Sequence, residues 1–231
     1  MPTVLITGAN RGIGLEFARS FMADGWRVHA CCRHPDKAQE LRDAAEAVAA
    51  DTKIHRLDVT DGLKVASLAR ELVDEPIDVL LNNAGIMGPR GADFGKIDYD
   101  EWPPVFAVNV LGPMRMAERF VEHVAKSDRK LIVNISSRMG SIADNTSGGS
   151  YIYRSSKAAL NMVAKSMAND LADRGITVLA FHPGWVRTDM GGRNAAITAK
   201  ESVEGMRAVI ARATQADSGK FLNFEGRELP W

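Results

Sequence analysis

Apolar and polar positions alternate between two periods along the chain. Short β-branched and apolar runs read as buried strands at Thr3–Thr7, Trp26–Cys32, Lys53–Leu57, Ile77–Leu81, Leu131–Ile135, Ile176–Phe181 and Lys220–Asn223. Between them apolar residues return at helical spacing, first at Ile13, Leu15, Phe17, Ala18, Phe21 and Met22. A polar helix is expected over Asp36 to Ala50 and another up to about Val73. A long helix opens at the acidic, proline-bearing Asp100–Pro104 and carries Phe106, Val110, Met114, Ala117 and Phe120. A buried helix follows the loop 138–150, and the last runs from about Lys200 to Ala213. Seven strands joined by long crossovers predict one α/β domain, a doubly wound parallel sheet with helices on both faces.

Composition narrows the setting. Lysine and arginine number 29, as do aspartate and glutamate, so net charge points to neither nucleic acid nor an anionic membrane as partner. The opening residues lack a secretory pattern, and no apolar run reaches the ~18 residues of a membrane-span candidate. Cys31 and Cys32 are adjacent, implausible as a structural disulfide and without the companions of a zinc site; no metal is expected. A soluble, cytoplasmic, reducing setting is the expectation.

The chemistry gathers at strand ends. After the first strand, Thr7-Gly8-Ala9-Asn10-Arg11-Gly12-Ile13-Gly14 offers a tight turn and the free N–H groups of a helix start, a cradle for phosphate. The second strand ends at Cys32 and Arg33, where a carboxylate would bond a ribose 2′-OH and favour NAD. Arg33 instead suits a 2′-phosphate, with Arg11 closing the same pocket, so NADP is the expected dinucleotide. Asp58 and Val59 follow the third strand; Asp58 either receives the adenine amino group or caps the next helix. After the fourth strand, Asn82, Asn83, Ala84 and Gly85 would let backbone lie against a cofactor, with Asn82 tying adjacent loops. Asn109 precedes Pro113 by four residues, so the long helix should be perturbed there. Tyr153 and Lys157 lie one helical turn apart, and a cation beside a phenol lowers its pKa.

This ordered set resembles the short-chain dehydrogenase/reductase family across essentially the whole chain. The likeness is greatest to its small carbonyl-reductase-like group, which includes the C-factor and sniffer proteins. Thr7–Gly14, the Cys-Arg-His-Pro after the second strand, Tyr153–Asn161, His182–Gly192 and Glu228–Trp231 carry it. The resemblance implies a single-domain Rossmann-type fold and a tetrad of Asn109, Ser137, Tyr153 and Lys157. Of two adjacent serines the family pattern selects Ser137 over Ser136; Tyr151 lacks the partner lysine. Ser137 would hold a carbonyl oxygen, Tyr153 give it a proton, Lys157 lower the Tyr153 pKa and bond the nicotinamide ribose, and Asn109 hold a relaying water. Pro183, Gly184, Val186 and Thr188 would flank the nicotinamide, Val186 through its backbone and Thr188 through its hydroxyl. The activity implied is reduction of an aldehyde, ketone or quinone by NADPH, in a homodimer or homotetramer. A signalling protein that binds NADP(H) and an NAD-linked alcohol dehydrogenase are the alternatives. Ser137 and Tyr153 stand sixteen residues apart, a few more than is usual in the family, which leaves the substrate mouth open.

Overall fold

The structure, a computed structural model, describes residues 1–48, 51–89, 91 and 93–231. Seven strands form one parallel sheet in the order β3-β2-β1-β4-β5-β6-β7. They are β1 (Thr3–Thr7), β2 (Arg27–Cys32), β3 (Thr52–Arg56), β4 (Val79–Asn82), β5 (Leu131–Ile135), β6 (Thr177–His182) and β7 (Lys220–Asn223). Helices α1 (Gly12–Ala23), α2 (Gln39–Ala47) and α7 (Ala199–Arg212) cover one face, and α3 (Gly62–Glu71), α5 (Gly112–Ala125) and α6 (Tyr151–Asp170) the other. Alternation along the strands divides the core accordingly. Val4 and Ile6 pack with Phe17, Phe21 and Met206, whereas Leu5 packs with Leu68, Phe120 and Met167.

The strand order reverses between β1 and β4, which opens a crevice at their carboxyl ends. All seven expected strands form, with ends shifted by a residue or two. The helix expected from Asp36 to Ala50 is a 3₁₀ turn, Pro35–Lys37, followed by α2; its expected end at Ala50 lies outside the described residues. The long helix is broken as the Asn109–Pro113 spacing predicts. A short α4 (Trp102–Phe106) passes into a π-helical turn, Ala107–Leu111, before α5 begins. Pro113 has no N–H to close on the Asn109 carbonyl, and the wider turn absorbs that loss. Among the described residues no helix is long and apolar enough to cross a membrane.

Candidate active site

The glycine turn is held from β4. Asn83 Nδ2 donates to the carbonyls of Thr7 (2.9 Å) and Gly8 (3.1 Å), while Thr7 Oγ1 accepts from the amides of Asn83 (3.0 Å) and Ala84 (3.1 Å). A Cβ on Gly14 would fall 2.2 Å from the Gly8 carbonyl oxygen, so only glycine permits this fold of the turn. Helix α1 carries no acid in its first turn, and its cap residue Arg11 makes no side-chain capping bond. Its leading N–H groups are therefore left for an anion.

A cavity of about 700 Å³ extends from this turn, within the range of small-molecule and cofactor sites. Gly8, Asn10, Arg11, Gly12, Ile13, Gly14, Arg33, Asp58, Val59, Asn83, Ala84, Gly85, Tyr153, Lys157, Pro183 and Thr188 all line it. The Gly14 close approach, the uncapped helix start and the cations at one end fit a phosphorylated dinucleotide.

Arg11 lines the same cavity as Arg33 while pairing with Asp189 across 3.0 Å. The basic residues that share the cavity wall nearest Arg33 in the chain are His34 and Lys37, from the turn directly after β2. Other expectations are corrected. Helix α3 is capped by Asp61, which accepts from the amides of Leu63 and Lys64, and not by Asp58. Asp58 accepts from the Thr60 amide (2.9 Å) and hydroxyl (2.7 Å) and stays on the cavity wall. Burial raises its carboxyl pKa, but the Thr60 bonds and nearby Arg33 outweigh that and hold it below the usual range. Asn82 is buried and donates to Asn134 of β5 (3.0 Å), so the loop tie expected of it is made by Asn83. Gly184 and Val186 are not among the lining residues, although their neighbours Pro183 and Arg187 are. Gly184 turns with φ +88° against Ile197, and Val186 bridges to Ile197.

At the other end of the cavity Tyr153 and Lys157 stand on the wall together with Ser136, while Asn109 and Ser137, also expected there, lie next to Lys157 and Tyr153 but are not among its lining residues. Asn109 is fully buried in the π turn: its Oδ1 accepts from the Ile86 amide (2.8 Å), and its Nδ2 donates to the Ile86 carbonyl (2.8 Å) and the Ser156 hydroxyl (3.0 Å). A Cβ on Gly85 would lie 3.3 Å from Asn109 Oδ1 and 3.5 Å from Lys157 Nζ, which places these two side chains on either side of one glycine. Lys157 donates to the Ile135 carbonyl at 2.9 Å. Ser136 is spent on Asn161 (2.6 Å), whereas the Ser137 oxygen accepts from the Met139 amide (3.2 Å) and its hydroxyl is bonded to the Tyr153 phenol.

The profile of the short chain dehydrogenase family matches residues 2–199. The chain belongs to the short-chain dehydrogenase family. This short-chain dehydrogenase is 42% identical over 165 residues to the C-signal of Myxococcus xanthus, covering 71% of this chain and 99% of that one. Its structure is similar to that of NADPH-bound carbonyl reductase from chicken fatty liver, with TM-score 0.92, 35% identity, and 100% and 99% of the two chains covered. It is equally similar to the carbonyl reductase Sniffer of D. melanogaster, with TM-score 0.93, 32% identity and both chains covered in full. It is therefore a carbonyl-reductase-like member of the family, with the Rossmann-type fold.

The electrostatics of this dehydrogenase differ from the expectation for Tyr153. Burial pushes its phenol up to about 12, and Ser137 only partly offsets this. Burial also brings Lys157 down to about 8. The lysine thus loses its proton before the phenol titrates, and a neutral amine cannot favour a phenolate. The sequence alone assigns no site role to Ile86, Ser156, Asn161, His34 or Lys37. Only His34 and Lys37 carry a legible signal, basic side chains directly after Arg33.

Proposed function

We propose that this short-chain dehydrogenase reduces a carbonyl compound (an aldehyde, ketone or quinone) to an alcohol with NADPH. The observation that carries the reading is a phenol held protonated at Tyr153, next to Ser137 and on the wall of a cavity whose other end bears Arg33, His34 and Lys37. NADPH, when bound, supplies the hydride. The Ser137 hydroxyl, its oxygen already engaged by the Met139 amide, donates to the substrate oxygen. Tyr153 delivers its proton to that oxygen as negative charge develops there. Lys157, fixed on the Ile135 carbonyl, holds its remaining hydrogens toward the cofactor side. Asn109 has no side-chain atom to spare, so a relaying water would rest on its main-chain carbonyl, to which Pro113 offers no N–H. Arg33 with His34 and Lys37 selects the 2′-phosphate. Exposed Met162 on α6 and Leu111 support pairing of two copies into a homodimer or homotetramer, which light scattering checks.

The test is an NADPH-consumption screen over aldehydes, ketones and quinones with the parent protein and Tyr153→Phe. Turnover should fall by about a hundredfold or more in the variant, with NADPH affinity kept. Undiminished turnover overturns the assignment. The likeness to the C-signal favours a second reading, an NADP(H)-binding signalling protein. Retained NADPH binding with no turnover across the whole panel selects it.

A further inference from the structure

After β7 the chain doubles back. Asn223 Oδ1 accepts from the amides of Glu225 (3.1 Å) and Arg227 (2.7 Å), and the return runs antiparallel with the Leu229 amide on the Phe221 carbonyl at 2.7 Å. This lays the Trp231 ring on that of fully buried Phe221, centroids 5.5 Å apart and planes 22° from parallel. The Trp231 carbonyl then accepts three bonds from a single segment: the amides of Ile142 (2.9 Å) and Ala143 (3.1 Å) and the Ser141 hydroxyl (3.1 Å). Ser141 also receives the Asp144 amide (3.1 Å), and Asp144 pairs with Arg138 at 2.7 Å.

That segment is the first half of the loop between Ser137 and Tyr153. Its beginning is fixed from elsewhere, because Gly140 is pressed on α6 so closely that a Cβ would lie 2.6 Å from the Lys157 carbonyl carbon. Beyond Gly140 the loop meets Trp231. Ser150, at the far end of the same loop and beyond the clasped residues, lines a recess of about 110 Å³ with Met87, Ile152 and Tyr153, beside the phenol; Met139, before Gly140, completes its wall.

We propose that Trp231 is a positioning residue for substrate: docked on Phe221, its carbonyl clasps Ser141–Ala143 and so sets the loop that walls the recess at Tyr153. The inference rests on the carbonyl-reductase reading. Because Gly140 anchors Ser137 independently, the clasp governs how substrate is held and leaves the reacting groups in place.

Amide hydrogen exchange of the NADPH-bound protein and steady-state kinetics of Trp231→Ala, Trp231→Phe and Ser141→Ala test it. Exchange at Ile142 and Ala143 should quicken about tenfold in Trp231→Ala and Ser141→Ala. The carbonyl KM should rise about tenfold in both, with kcat within about twofold and NADPH affinity unchanged. Trp231→Phe, which keeps a ring on Phe221, should recover most of the loss. Unchanged exchange, or faster exchange with an unchanged KM, overturns the proposal. A parent protein that turns over no carbonyl overturns the carbonyl-reductase reading instead, and the exchange arm still decides whether Trp231 holds the loop.

Discussion

Lys157 Nζ stands 5.7 Å from the centroid of the Tyr153 ring and gives its 2.9 Å hydrogen bond to the Ile135 carbonyl. The pair therefore divides its labour by pH. With the phenol near 12, raised by burial, Tyr153 is protonated throughout the neutral range, the form that donates to a developing alkoxide. Oxidation of an alcohol needs the opposite form. Its rate should climb about tenfold per pH unit beyond neutrality, while Tyr153 sets no limit on reduction below pH 9. PH–rate profiles in the two directions check this; an oxidation rate that levels off near pH 7 would refute the burial argument.

Lys157 has a cost for the fold. Its pKa near 8 lies below the usual 10.5, so the unfolded chain binds the proton more tightly than the folded one. Stability is penalised below pH 8 and recovers as pH rises from 8 to 10.5. The penalty is about 3 kcal/mol, from which the Ile135 bond must be subtracted in any replacement. Lys157→Met should thus be more stable than the parent by about 2 kcal/mol at pH 7, lose that advantage above pH 10, and be inactive. Urea denaturation at the two pH values measures it.

Arg33 decides coenzyme choice in this reading. Arg33→Ala should weaken NADPH about tenfold or more and leave NADH nearly unchanged, since only the former carries the 2′-phosphate. Fluorescence titration of each nucleotide reports it, and an equal loss for both would point to a general structural role.

Acid should destabilise the protein through its histidines. Burial lowers His29, His55 and His123 below the usual 6.5, with His29 facing His55 Nε2 at 2.9 Å and Glu75 at 2.7 Å. His182 falls to about 4, by burial and then by Arg138. As pH drops from 6.5 toward 4 the unfolded chain takes up protons that the fold refuses, and stability is lost in that window. His182 accounts for about 2 kcal/mol of this at pH 4, allowing for its partial exposure. The urea midpoint of His182→Asn should therefore fall less between pH 7 and pH 4.5 than that of the parent.

The sheet and its order of elements were legible because buried parallel strands are continuous apolar runs, and the glycine turn because Gly8, Gly12 and Gly14 sit between a strand and a helix. The break at Asn109 was legible for the same kind of reason, Pro113 being a local and unconditional breaker. What escaped depends on direction in space. Nothing in the chain says that Arg11 turns to Asp189, that Asn83 instead of Asn82 ties the turn, or that Asp61 caps α3 in place of Asp58. The Tyr153–Lys157 spacing was visible, yet the sign of the phenol shift was not, because it hangs on how deeply both groups are buried.

The π turn at Ala107–Leu111 has a consequence for everything downstream. One added residue rotates the following helix by about 100°. Buried Val105 and Val110 are five apart across the turn, whereas Pro113, Met116, Ala117, Phe120 and Val124 return at three and four. The wider turn thus cancels that rotation: deleting a residue within it would bring Val105 and Val110 to four apart, mend the helix and leave the apolar stripe of α5 on the sheet. The irregularity therefore serves Asn109, which reaches Ile86 and Ser156 from the widened turn, more than the packing of the helix that follows it.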